Sequence, residues 1–237
     1  MDNKAGKSTR LMAKKRRQTT NIILMLILLV GIILAFVVLK WQELGIGAGA
    51  VLVILIFLKI LPDLIDKPIN RRVKLEKRAD RGAAAEEVVG EILDSLGDEY
   101  CVLNDINCPY GNIDHIVIGK NSGLFLLETK AHGGRVEILS DNILINGKPP
   151  EKDFIAQTLK NTYWLREEVQ KITGRKIWVT PVLVFTNAFV PMGKPIMGIT
   201  ITNKKFLQRI LTRQTKFTSD NEVLWASRES ILSLVKN

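Results

Sequence analysis

The feature that most constrains this chain of 237 residues is an uninterrupted apolar run at residues 22–39, 18 residues without one polar side chain. That is about the length needed to cross the hydrocarbon core of a bilayer. In lipid a lone segment satisfies its backbone only as a helix. After Lys40, Trp41, Gln42 and Glu43 a second run covers residues 44–61, interrupted only by Lys59. Gly45, Gly47 and Gly49 in it suit close helix packing in lipid. A cleaved signal peptide fits poorly, because the first run is long for one and no small-x-small site follows it. A buried core helix fits the second run poorly, given its all-round apolarity and charged flanks. The expectation is a two-helix transmembrane hairpin over residues 21–61.

Charge then sets an orientation. Before Asn21 stand Lys4, Lys7, Arg10, Lys14, Lys15, Arg16 and Arg17 against Asp2 alone, and beyond the second run stand Lys67, Arg71, Arg72, Lys74, Lys77 and Arg78. The positive-inside rule keeps both flanks, both termini and whatever follows on the cytoplasmic side of the cell membrane. The net charge of +10 resides in these flanks, since residues 79–237 carry 19 basic and 19 acidic side chains. Basic flanks of this kind meet anionic lipid, and the net charge is no evidence for nucleic acid. Cys101 and Cys108, the only cysteines, form no CxxC, so zinc is not expected and a reducing compartment is the economical reading.

Residues 1–20 therefore read as a basic cytoplasmic tail, 62–80 as a charged juxtamembrane linker, partly helical, and 81–237 as a globular domain. In that domain the periodicity predicts helices over 83–96, 153–172, 204–211 and 222–235. Strands are predicted over 100–107, over the hairpin around 121–123, over two short segments within 133–145, and over 177–186 and 196–202. Helices on both sides of a mixed sheet make an α/β domain.

The hairpin carries the chemistry. Alternation along a strand puts Leu124, Leu126, Glu128 and Lys130 on one face, and Asp114 on a face with Ile116 and Ile118. Charges on such apolar strands cost several kcal/mol each unless neutralised. A divalent cation would neutralise the two carboxylates, and Mg²⁺ favours one or two carboxylates plus water and phosphate. Asp114 and Glu128 are thus candidate metal ligands, the Thr129 carbonyl a third oxygen, and Lys130 a group to orient water or stabilise developing charge. Glu86 lies in register with Val89, Gly90 and Leu93 on the apolar side of its helix, a second hint of a site. Gln157 and Asn161, one helical turn apart, could reach the metal's water or a phosphate. His115 faces away from Asp114 and reads as packed or superficial. His132 lies just past the strand, and Tyr163 and Trp164 read as core.

At these residues the chain resembles the nuclease-related domain (NERD) family, a branch of the PD-(D/E)xK restriction-endonuclease-like superfamily. Gly82-Ala83-Ala84-Ala85-Glu86, Ile113-Asp114-His115-Ile116-Val117, Leu127-Glu128-Thr129-Lys130 and Gln157-x-x-x-Asn161 match its motifs in order, with Ala85 where a second Gly is usual. The resemblance implies a restriction-endonuclease-like mixed sheet flanked by helices and a DNA-processing role. The expected function is a membrane-anchored, Mg²⁺- or Mn²⁺-dependent phosphodiester hydrolase acting on DNA, with RNA left open. Its catalytic set is Asp114, Glu128, Lys130, Glu86 and Gln157, and its metal set Asp114, Glu128 and Glu86. The alternative is a catalytically silent, membrane-tethered module that binds nucleic acid or a partner protein.

Overall fold

The computed structural model describes residues 5–40, 43, 47–191, 195–214 and 218–236. The chain divides into two compact units, one of Thr9–Asp80 and one of Arg81–Asn237 together with the residues up to Ser8.

The first unit consists of parts of two helices, α1 (Lys7–Leu39) and α2 (Ala48–Asp94). By length and composition α1 is one helix able to cross a membrane. Its apolar stretch is turned outward, with Met25 72% and Leu28 65% exposed. Of the second expected span, the apolar helical stretch described is Ala48–Phe57, and residues 44–46 lie outside the described residues. The predicted linker and the predicted helix over 83–96 are one element in the structure, since α2 runs on through Pro62 and Pro68 to Asp94. Beyond Pro68 only Gly82 and Gly90 weaken the helix, at about 1 kcal/mol each, which does not stop it. At the base of this unit Arg17 reaches Glu76 at 2.6 Å and Asp80 at 3.0 Å.

The second unit is built on a six-stranded mixed sheet in the order β1-β2-β3-β5-β6, with β4 paired to β3. Its strands are β1 (Tyr100–Cys108), β2 (Gly111–Gly119), β3 (Gly123–Ile138), β4 (Ile143–Ile145), β5 (Val179–Phe189) and β6 (Thr200–Asn203). The first three are antiparallel neighbours; β5 then joins β3, and β6 joins β5, in parallel. Alternation along the strands separates two cores. Ile116, Ile118, Leu124, Leu126 and Val179 meet Leu165 and Val169 of α3 (Phe154–Thr173) and residues of α5 (Thr218–Ala226) and α6 (Arg228–Leu232). On the opposite face Val117, Phe125, Leu127, Val182 and Val184 meet Val89 and Leu93 of α2 and Leu207 and Leu211 of α4 (Lys204–Leu211). This is the mixed, helix-flanked sheet expected.

Two expectations change in detail. The first of the two short strands placed within 133–145 is a continuation of β3, a strand of 16 residues that carries on through a register shift between Lys130 and Gly133. Gly134 enables the continuation: its φ of 94° suits glycine, and a Cβ there would collide with the Asn146 side chain. The helix predicted over 222–235 is three short pieces, α5, α6 and a 3₁₀ turn Ser233–Lys236.

A contact long in sequence closes this unit. The Ser8 N–H and hydroxyl donate to the Asp105 carboxylate at 2.8 and 2.7 Å, and Asn112 Nδ2 donates to the same group at 2.9 Å. Asp105 has a φ of 59°, and the β1–β2 register passes from Asn104↔His115 to Ile106↔Ile113 across it. Ser8 and Asn112 compensate this left-handed, non-glycine conformation, which costs about 1–3 kcal/mol.

Candidate active site

Strand geometry brings Asp114 and Glu128 together. His115 pairs with Leu127 across β2 and β3, so the next step of the ladder sets Asp114 beside Glu128. There the Thr129 N–H donates to Asp114 Oδ2 at 2.6 Å, which fixes the carboxylate against β3. Burial raises the Asp114 carboxyl well above the usual carboxylate range. The negative charges of Glu128 and then Glu86 push the same way, while Lys130 and the Thr129 N–H oppose them. Glu86, on α2, is therefore electrostatically part of this cluster.

Glu128 is the most enclosed of the charged groups, 3% exposed. Its Oε1 accepts from Lys130 Nζ at 2.6 Å and from Gln157 Nε2 at 3.0 Å. Its Oε2 is buried with no hydrogen-bond partner. An orphaned carboxylate oxygen in a protein interior is costly. The Lys130 ammonium also lies 4.4 Å from the centroid of the Phe154 ring, a cation–π contact that holds its position. Helix α3 supplies this side of the site through its first turn. Asp153 caps it by accepting from the Ala156 N–H at 2.9 Å, and Phe154 and Gln157, three residues apart, then face β3 together.

The structure thus gathers Asp114, Glu128, Lys130, Gln157 and, through its charge, Glu86. It gives Asn161 another task. Fully buried, Asn161 accepts from Cys108 Sγ at 3.3 Å and donates to the Asn112 carbonyl at 3.5 Å, pinning α3 to the β1–β2 turn. Of the two readings of His115, packed or superficial, the structure shows the packed one: it is buried, with Nδ1 2.8 Å from Asn104 Oδ1, and burial pushes its pKa down to about 3. The ring is neutral, and donation from Nδ1 leaves Nε2 without a partner. His132 packs on the Phe154 ring at 5.3 Å. Tyr163, expected in the core, is 58% exposed, while Trp164 packs against the core as expected. Sequence reasoning missed Phe154, although an aromatic residue directly after an N-cap and three before Gln157 was its visible signal.

Among the described residues no group of three or more His, Cys, Asp or Glu side chains could hold a metal ion. Two carboxylates remain, and the bare Glu128 Oε2 beside a reluctantly ionised Asp114 is what a hard cation would satisfy. That fits Mg²⁺ or Mn²⁺, which need few protein oxygens.

The mixed α/β sheet thus sets an Asp and a Glu-x-Lys on adjoining strands. Residues 81–186 match the family model described as nuclease-related domain, NERD. The matched segment contains all four motifs of the resemblance. No curated protein and no solved structure matches the chain.

Proposed function

We propose that the chain is a membrane-anchored, divalent-metal-dependent phosphodiester hydrolase acting on DNA at the cytoplasmic face of the membrane. The observation that carries this reading is the buried, unpartnered Oε2 of Glu128 next to Asp114, with Lys130 at hydrogen-bond distance. Asp114 and Glu128 would hold the cation, and Glu86 would add to its field. When bound, the cation neutralises charge on the phosphate and acidifies the attacking water. Gln157 keeps Glu128 oriented through Oε1. Lys130, held by Oε1 and the Phe154 ring, presents its other N–H bonds to the attacking water or to the developing oxyanion. The α1 helix would anchor the domain, with residues 44–61 as a second span and the basic flanks setting a cytoplasmic orientation.

The 2.6 Å ion pair between Glu128 and Lys130 favours a second reading. Both groups are already partly neutralised, as a catalytically silent module binding nucleic acid or a partner protein would require. The purified full chain in detergent, stripped of metal and supplied with Mg²⁺ or Mn²⁺, separates the two on plasmid, linear duplex and single-stranded DNA. Glu128→Gln keeps the shape and one hydrogen bond but removes the charge. It should lower metal-dependent cleavage about a thousandfold, the order of a lost electrostatic group. Equal rates from the variant would remove the hydrolase, and metal-independent DNA retention without cleavage would favour the silent module.

A further inference from the structure

The Thr9–Asp80 unit contains a cavity of about 590 Å³ lined by Arg16, Thr20, Pro68, Arg71, Arg72 and Leu75. Three arginines line it. Among the described residues none of the three makes an ion pair, although Arg17 next door is held by both Glu76 and Asp80. Glu76 and Asp80 are thus committed to Arg17, Asp66 is paired with none of the three, and among the described residues the hydrogen bond they make is Arg16 Nη1 to the Leu75 carbonyl at 3.4 Å. Like charges gathered without a counter-ion repel each other, and an anion in the cavity relieves that repulsion. Guanidinium groups present planar pairs of N–H donors, the geometry that grips a phosphate through two oxygens at once.

Position selects the source of the phosphate. Arg16 is six residues from Ile22, where the apolar run of α1 begins, about 9 Å of helix rise. The headgroup layer extends about 5–8 Å beyond the hydrocarbon, so the cavity borders it. The wall between is Thr20, buried and bonded through its hydroxyl to the Arg16 carbonyl, so the cavity lies at the foot of the outward-facing apolar surface. We propose that Arg16, Arg71 and Arg72 form a binding site for the headgroup phosphate of an anionic phospholipid. The site rests on the reading of α1 as a membrane span and is independent of the hydrolase.

Native mass spectrometry of the full chain in detergent, with phosphatidylglycerol and phosphatidylcholine in equal amounts, tests it. The wild type should retain one phosphatidylglycerol preferentially. The variant R16K/R71K/R72K keeps the charge that sets topology but loses the bidentate donors. It should bind that lipid about tenfold more weakly. Undiminished selectivity in the lysine variant would overturn the site, because scattered charge alone would then account for binding. Displacement of the lipid by millimolar inorganic phosphate would overturn the lipid as its source and assign a soluble phosphate. Carbonate extraction of membranes keeps the two failures apart. Release of the chain would remove the span and the lipid site with it, whereas retention without lipid selectivity would remove the site alone.

Discussion

Asp114 and His115 are sequence neighbours on β2, and burial keeps both away from their charged forms. For Asp114 this raises the folded pKa above the unfolded value, so the stability of the metal-free protein falls as pH rises from the ordinary carboxylate range through that raised value. For His115 the folded value of about 3 lies below the unfolded value near 6.5. Its contribution is therefore complete above about pH 6.5 and is lost as pH falls toward 3. At about 1.4 kcal/mol per pKa unit the histidine effect amounts to several kcal/mol. Asp114→Asn should raise the melting temperature of the metal-free protein by a few degrees at pH 7.5 while abolishing cleavage. His115→Gln should flatten the loss of stability between pH 6.5 and 5. Thermal melts from pH 5 to 7.5 check both, and a melting temperature lowered at pH 7.5 by Asp114→Asn would contradict the unfavourable ionisation of this carboxyl. The gathering of Asp114, Glu128 and Lys130 was legible in the sequence because charges stand out on strands of alternating apolar residues. The Thr129 N–H and the Phe154 ring were not legible, because backbone donors leave no trace in residue identity and an aromatic residue near a helix start reads as core.

Helix α3 acts as a bracket whose first turn holds Glu128 and Lys130 and whose later turns fill the core through Leu165 and Val169. Its cap therefore links stability to chemistry. Asp153→Ala should cost about 1 kcal/mol, or roughly 2–4 °C in a chain of this size. It should also reduce cleavage by more than the fraction unfolded at the assay temperature explains. Melts and rates measured on the same preparation decide this, and activity that tracks the folded fraction alone would detach the cap from the site. Elements with clear periodicity, such as α4 and the centre of the β2–β3 hairpin from Asp114 to Lys130, were readable in the sequence, although β2 begins earlier and β3 runs on to Ile138. Where a charged, partly helical linker was expected over 62–80 the helix continued through Pro62 and Pro68, and where a separate short strand was expected from Gly133 the strand β3 continued through a register shift. In both cases a local cost of a few kcal/mol was smaller than the gain from extending an element already formed.

At the scale of the molecule, the outward-facing apolar stretch of α1 predicts that the full chain stays with membranes through carbonate washing, and that replacing Leu26, Leu29 and Ile33 by Lys releases it. Retention of the triple variant would show that α1 is not the anchor. The contact from Ser8 to Asp105 spans 97 positions of sequence, and it bears on how the second unit comes into being. Residues made early must await a partner made much later, so the unit closes only after the whole intervening segment has left the ribosome. A fragment beginning at Arg81 is correspondingly one half of a split protein. It retains the sheet and the carboxylates, but Asp105 keeps its left-handed turn without the serine that steadies it. Such a fragment should regain stability when a short peptide copied from the start of its own chain is added, which a thermal melt with and without the peptide checks.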